Sequence, residues 1–346
     1  MLTTFLNAPG HISVEDRPRP ILQSDADAVV RVVAACVCGS DLWGYRGISE
    51  VTEPQAMGHE AIGVVEEVGD AVSSAKPGDF VIIPFSFNCG DCQACAAGCP
   101  ASCVKSAWYD SHSAAQAEFV RVPMANASLF VTGLTEGDVE ARGLIPHLLA
   151  LSDVMSTGYH AAKSANVGPG DVVAVVGDGA VGLCAVLSAK LLGAKTVIAM
   201  SRHEARSALA REFGADVVVA ERGEAAPAAI RAVLDGNLAD VALECVGTKE
   251  SMNQAFACVR GGGRVGYVGV PHGGVELDVW SMFSSNVSLA GGLASARRWM
   301  EELLPLVISG EIEPGKVFDL TLPLGDAAAA YAAMDRREAI KVMLRP

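Results

Sequence analysis

The chain has 346 residues, 51% hydrophobic and 19% charged, enough apolar material for more than one core and too much for a disordered chain. Its formal net charge of −14, with no basic run, argues against nucleic acid and anionic membrane surfaces as partners. No window approaches the roughly 20 apolar residues that span a bilayer, and the N-terminal MLTTFLNAPGHISVEDRPRP lacks the charged-then-apolar pattern of a secretory leader.

The first 150 residues or so read as rich in strands and turns. AVVRVVAACV (28–37), AIGVVEEVG (61–69) and the segment around FVIIPF (80–85) are β-branched or alternating runs bounded by Gly, Pro and Asp. From about residue 171 the rhythm changes. DVVAVV, TVIAM, DVVVA, DVALECVG and RVGYVGV are short apolar runs, and the first four each precede a helix-like stretch. Those stretches are AVGLCAVLSAKLLGA, RHEARSALAREFGA, EAAPAAIRAVLDG and ESMNQAFACVRGG. Strands apolar on both faces and separated by helices imply βαβ units in a parallel sheet. A sixth run, VSLAGGL (287–293), completes an expected six-stranded doubly wound α/β domain. The tail reads as helix (RRWMEELLPLVISG), loop, helix (DAAAAYAAMDRRE) and a last strand, IKVMLR.

Three motifs carry chemistry. The first is Cys89-x2-Cys92-x2-Cys95-x7-Cys103, four thiols on short loops with Gly90 and Gly98 to turn the chain. This suits a closed, tetrahedral structural zinc. The bland alternative is a cysteine-rich loop or a disulfide pair, but ten cysteines in a long chain fit a reducing cytoplasm better than a disulfide scaffold. Cys99 falls off the spacing. The second set is dispersed: Cys38 in CGSD, His59 in GHE and Asp153 in LSDVMSTGYH. Singly these read as a core cysteine, a satisfied histidine and a helix cap. Together they offer sulfur, nitrogen and oxygen, as a three-ligand catalytic zinc with a free position requires. The third is Gly177-x-Gly179-x-x-Gly182, placed after an apolar strand and opening an apolar helix. In that context GxGxxG predicts a dinucleotide site, with helix N–H groups aimed at a pyrophosphate.

In this order the motifs closely resemble the zinc-containing medium-chain dehydrogenase/reductase family over essentially the whole chain. They are CGSD, GHE, the four-cysteine lobe, D-V-x-x-T-G-x-H, GxGxxG and the closing A-I-K-V. The resemblance implies a GroES-like catalytic domain over 1–154, a Rossmann NADP-binding domain over 155–293, and a return to the catalytic domain over 294–346. It implies that Cys38, His59 and Asp153 hold the catalytic zinc, with Glu60 an occasional ligand or neighbour, and that Ser40 passes on the substrate's proton. The activity implied is hydride transfer between C4 of a nicotinamide and an alcohol, ketone or aldehyde. Many relatives carry a histidine three residues after that serine. Here the position is Trp43, whose indole N–H donates only.

Cofactor contacts are expected at Gly177, Gly179, Ala180, Val181, Gly182, Ser201, Arg202, Val246, Val268 and Gly269. NAD-specific relatives place an acid at the end of the second nucleotide-domain strand. TVIAM instead runs into Ser201-Arg202-His203, and the first acid is Glu204, so NADP is expected over NAD. By position Trp43, Phe85, Trp108 and Tyr109, with Met282 or Phe283, would make an apolar substrate cleft. That suits medium-sized secondary alcohols, ketones or aldehydes better than polyols. A polyol or amino-acid-alcohol dehydrogenase is the runner-up, and a non-catalytic NADP-binding zinc protein is a third reading. VSLAGGL is expected to pair subunits edge to edge, in a tetramer or a dimer.

Overall fold

The computed structural model describes residues 1–107 and 114–346, so the expected pocket residues Trp108 and Tyr109 lie outside the described residues. The chain divides into two compact units, Met1–Asp153 with Ser295–Pro346, and Val154–Ala294.

The first unit is built on sheets. One has three strands in the order His11–Asp16, Leu2–Ala8, Gln55–Ala56. The larger runs Phe318–Pro323, Lys341–Arg345, Ala28–Cys36, Ala61–Val68, Phe80–Ile83 and Phe130–Val131, with Phe119–Val122 also paired to Ala28–Cys36. Ala28–Cys36 is apolar and buried except at Arg31, whose guanidinium reaches out to Glu66 and Glu136. Its register decides what meets at its end. Ala35 faces Ala61 on one side, and Cys36 faces Met343 on the other. The residues just past Cys36, just before Ala61 and at the start of Lys341–Arg345 therefore emerge together. Short helices and turns cover the sheet, among them Ile145–Leu151, whose Leu148, Leu149 and Leu151 are fully buried.

The second unit carries six parallel strands: β1 (Val172–Val176), β2 (Thr196–Met200), β3 (Val217–Val219), β4 (Ala239–Glu244), β5 (Val259–Tyr267) and β6 (Ser288–Gly291). Their order in the sheet is β3-β2-β1-β4-β5-β6, that of a doubly wound dinucleotide fold. Helices α1 (Ala180–Leu191), α2 (Glu204–Glu212), α3 (Ala226–Val233) and α4 (Lys249–Cys258) follow the first four strands, and α5 (Val279–Ser285) precedes β6. The core is largely aliphatic and small, with Ala174, Ile198, Ala242 and Ala255 fully enclosed.

Two expectations are corrected. The helix-like stretch ESMNQAFACVRGG does not run to its end. Helix α4 stops at Cys258, and β5 begins at Val259 with Ala239 opposite it. Three consecutive glycines, with Gly262 at φ +72°, favour a bulged strand over a helix. The loop expected between the two tail helices contains the strand Phe318–Pro323, paired in parallel with Lys341–Arg345. Its alternating burial puts Phe318, Leu320 and Leu322 on the inner side, a period of two that the short run FDLTLP does carry.

Candidate metal and nucleotide sites

The four cysteines form one knot. Cys92 caps the helix Gln93–Ala96, which holds Cys95, and Cys103 ends the turn Pro100–Ser102. Gly90 and Gly98 reverse the chain at φ +78° and +76°. The sulfur separations are 3.3 Å for Cys89–Cys103, 3.5 Å for Cys92–Cys95 and 3.8 Å for Cys92–Cys103. A zinc–sulfur bond of about 2.3 Å gives a tetrahedron with edges of about 3.8 Å, so the cage is close to that size. Backbone N–H groups of Cys89 and Lys105 each donate to Cys103 Sγ at 3.3 Å. Backbone N–H groups favour the Cys92 thiolate and bring it to about 6, whereas burial and the neighbouring thiols push Cys95 up to about 12. Four thiols this close cannot all ionise alone, and a divalent cation would relieve that repulsion. Exposed Cys99 points its sulfur toward the Ala97 carbonyl at 3.9 Å and stays outside the cage.

The dispersed set also converges. Ligand atoms of Cys38, His59, Glu60 and Asp153 all lie within 4.8 Å of one another. Cys38 follows the strand Ala28–Cys36, His59 precedes Ala61–Val68, and Asp153 follows the helix Ile145–Leu151. Gly58 makes the approach of His59 possible. It sits at φ +94°, and a Cβ there would stand 2.7 Å from the Gln116 backbone nitrogen. Asp153 Oδ2 is 3.8 Å from Cys38 Sγ and 3.7 Å from His59 Nε2.

Around the cluster lies a second set of groups whose contacts the sequence reading did not anticipate. Asp41 Oδ1 stands 3.4 Å from His59 Nδ1, while its Oδ2 accepts from the Cys38 backbone N–H at 2.9 Å and from Gln116 Nε2 at 3.2 Å. Tyr331 donates to Gln116 Oε1 at 3.1 Å. A carboxylate on Nδ1 leaves the Nε2 lone pair for the cluster. Burial opposes a charge on His59, but the nearby Cys38 and Asp41 outweigh it and raise its pKa well above the usual range. Lys341 Nζ donates to Glu60 Oε1 at 2.7 Å and to the Val37 carbonyl at 3.2 Å, and both ionic side chains are essentially inaccessible. Burial pushes the Glu60 carboxyl up although Lys341 pulls it down. Among the described residues buried Glu60 Oε2 has no hydrogen-bond partner, as an oxygen facing a metal would have none. The only advance hint of Asp41 and Lys341 lay in motif context, CGSD and A-I-K-V, where neither was given a role.

Ser40 is the N-cap of the short helix Asp41–Tyr45 and makes no side-chain cap bond. Trp43 lies on that helix and is half-buried, and Phe85 is buried. In the other unit Met282 and Phe283 lie on α5, with Phe283 exposed and its ring tilted against that of Trp280, centroids 5.7 Å apart.

The glycine-rich loop connects β1 to α1. Gly177 stands at φ +121°, and a Cβ on Gly182 would come within 2.1 Å of the Gly177 carbonyl oxygen, so loop and helix meet closely. Gly179 caps the twelve-residue α1, with Ala180, Val181 and Gly182 in its first turn. This cradle fits a pyrophosphate, whose charge the exposed N–H groups would meet. Val246, on the turn after β4, borders Gly177, and Val268–Gly269 follow β5. Ser201 directly follows β2, buried, and Arg202 beside it is exposed. The end of β2 is not without an acid, as its own sequence suggests. Asp178 reaches it from the loop, accepting from Ser201 Oγ at 2.9 Å.

Comparison with known proteins adds the family context. The alcohol dehydrogenase GroES-like domain model matches residues 24–131, and the zinc-binding dehydrogenase model matches residues 180–309. A probable zinc-binding alcohol dehydrogenase of Mycobacterium tuberculosis is 36% identical, covering 100% of this chain and 89% of its own length. The structure of alcohol dehydrogenase TADH from Thermus sp. ATN1 aligns with TM-score 0.90 at 32% identity, over 100% of this chain and 99% of the other. A zinc-binding dehydrogenase from Sinorhizobium meliloti 1021, solved bound to NADP, aligns with TM-score 0.83 at 28% identity, over 100% and 99%.

Proposed function

The chain belongs to the zinc-containing medium-chain dehydrogenase/reductase family, and from that premise we propose that it is a zinc-dependent alcohol dehydrogenase and carbonyl reductase preferring NADP(H). The observation that carries this is the meeting of a thiol, an imidazole and a carboxylate from three distant segments, beside a carboxylate with one unpartnered buried oxygen. In this reading Cys38, His59 and Asp153 hold a catalytic zinc, and Cys89, Cys92, Cys95 and Cys103 hold a structural one, two per subunit. When bound, the catalytic zinc supplies Lewis acidity, easing loss of an alcohol proton in one direction and polarising a carbonyl in the other.

The remaining work falls to the protein. Asp41 orients His59 through Nδ1 and also ties the Cys38 backbone, so two ligands are set by one carboxylate. Lys341 offsets the charge of Glu60, which would otherwise stand uncompensated beside two anionic ligands. Ser40 Oγ takes the substrate hydroxyl's proton and passes it outward. Trp43 cannot accept that proton through a donor-only indole, so it leaves toward the cofactor ribose or water. Trp43 and Phe85 line an apolar substrate pocket suited to medium-sized secondary alcohols, ketones or aldehydes.

The Val154–Ala294 unit binds the cofactor, with the pyrophosphate on the α1 N-terminus, and the other unit supplies the chemistry. Arg206 and Arg222 support the NADP preference, since both guanidiniums gather at the end of β2. The edge strand β6 is the proposed subunit-pairing element of a homo-oligomer, a tetramer in the cytoplasm. Metal analysis should find about two zinc per chain. A panel of alcohols and carbonyls, run with NADP(H) and NAD(H), should show turnover of apolar secondary alcohols and their ketones, more efficient with NADP(H). One zinc per chain with no turnover of any alcohol defeats the proposal. Preferential turnover of polyols defeats the apolar pocket alone.

A further inference from the structure

The carboxylate at the end of β2 is held in an unusual setting. Asp178 is the second residue of the glycine-rich loop, and it is 9% exposed. Its Oδ2 accepts from Ser201 Oγ at 2.9 Å, and its Oδ1 accepts from Arg206 Nη1 at 3.2 Å. Arg222 Nη2 stands 3.8 Å from Oδ2, and Ser207 donates to Ser201 Oγ at 3.2 Å. A dinucleotide fold reads the adenosine ribose at this strand end, using a carboxylate for a 2′-hydroxyl or an arginine for a 2′-phosphate. Here both kinds of reader are present and paired with each other.

We propose that Asp178 is a specificity-determining residue that holds Arg206 and Arg222 and so limits the advantage of a 2′-phosphate over a 2′-hydroxyl. This deepens the NADP reading above and rests on it. Without the carboxylate, Arg206 and Arg222 would add an unopposed charge of +2 to that of Arg202 beside Ser201. With Asp178 in place that contribution falls to +1, and a phosphate must share arginines that are already engaged while standing near an anion. A 2′-hydroxyl meets the opposite balance, because it can donate to the Asp178 carboxylate without disturbing either arginine. The acid also comes from a different segment than the strand end itself, so a sequence scan of that end alone misses it.

The test is binding, not turnover. Dissociation constants of NADP and NAD are measured by titration calorimetry on the zinc-loaded full chain, for wild type, Asp178→Asn and Asp178→Ser. Each substitution should raise the ratio Kd(NAD)/Kd(NADP) about tenfold, roughly 1.4 kcal/mol. Arg206→Gln should lower it by a similar factor while Kd(NAD) moves less than about threefold. A ratio unchanged or lowered in the Asp178 variants overturns the proposal, including the case where both cofactors lose affinity equally. Failure of both Asp178 variants to fold overturns it too, since the carboxylate would then be structural. A wild-type chain that binds NAD more tightly than NADP defeats the cofactor preference proposed above. The change in ratio across the variants would still decide the role of Asp178.

Discussion

The four-cysteine lobe and the Cys38–His59–Asp153 cluster each gather metal-binding side chains but are assembled in opposite ways. The lobe is local: its four sulfurs come from residues 89–103, turned by two glycines, and three of the four cysteines are only half-buried. The other cluster is tertiary. It depends on Ala35 facing Ala61 in a sheet and on the end of a helix arriving beside them, and it is backed by Asp41, Gln116, Tyr331, Glu60 and Lys341. A local cage needs little beyond its own metal, whereas a tertiary one inherits its geometry from the core. The contrast implies that the two centres should fail differently when damaged.

The largest expected effect comes from removing one proposed ligand of each. Cys38→Ser should cost about a thousandfold or more in kcat/KM, equivalent to about 4 kcal/mol of barrier. It should leave one zinc per chain and a circular dichroism spectrum and melting temperature close to wild type. Cys103→Ser should invert the pattern, losing the lobe's zinc and several degrees of melting temperature while the remaining folded protein keeps its catalytic metal. If Cys38→Ser unfolds the chain, or Cys103→Ser abolishes turnover without lowering stability, the division of labour between the two centres is wrong.

Next in size is the support under the buried cluster. Lys341→Met leaves the Glu60 carboxylate enclosed and unpaired, and breaking a buried pair in this way costs about 3–5 kcal/mol. Burial already raises the Glu60 pKa, and losing Lys341 removes the largest opposing influence. The variant's Glu60 would then hold a proton in the folded state at a pH where the unfolded chain has released it. Stability would accordingly recover as pH falls toward the ordinary carboxylate range and decline as pH rises. Denaturant unfolding at several pH values checks this, and Lys341→Met combined with Glu60→Gln should recover much of the loss. A loss below about 1 kcal/mol, or one independent of pH, would show that water reaches the pair.

The same contrast explains what the sequence discloses. The lobe is legible from spacing because it is local, and GxGxxG is legible because its glycines, strand and helix are contiguous. Cys38, His59 and Asp153 become persuasive as a set through family resemblance, since no local rule brings positions 115 apart to within 3.8 Å. Asp41 and Lys341 sit inside quoted motifs, yet their partners arise from register, Lys341 through a strand paired with Ala28–Cys36. Asp178 is the sharpest case. The end of β2 lacks an acid in its own sequence, and the fold delivers one from 23 residues earlier. The strand Phe318–Pro323 does alternate in FDLTLP, but six residues between turns are a short run, and its parallel partner Lys341–Arg345 is set by the fold rather than by any local signal.

The smallest effect separates the lobe's own order from its attachment. Arg298, on the helix Ala296–Ser309, donates Nη1 to the Gly98 carbonyl at 3.0 Å and lies over the Trp299 ring at 4.6 Å. That carbonyl belongs to the turn between Cys95 and Cys103, so the bond ties the four-cysteine loop to the helix. Arg298 is exposed, and an exposed bond of this kind is worth about 0.5–1 kcal/mol. Arg298→Ala should leave zinc content, fold and turnover near wild type while speeding removal of one zinc by a chromogenic chelator about two- to fivefold. The zinc proposed for the sheet-built cluster should leave at the wild-type rate. Equal acceleration of both would mean that the helix steadies the whole unit and that the lobe is less self-sufficient than its local construction implies.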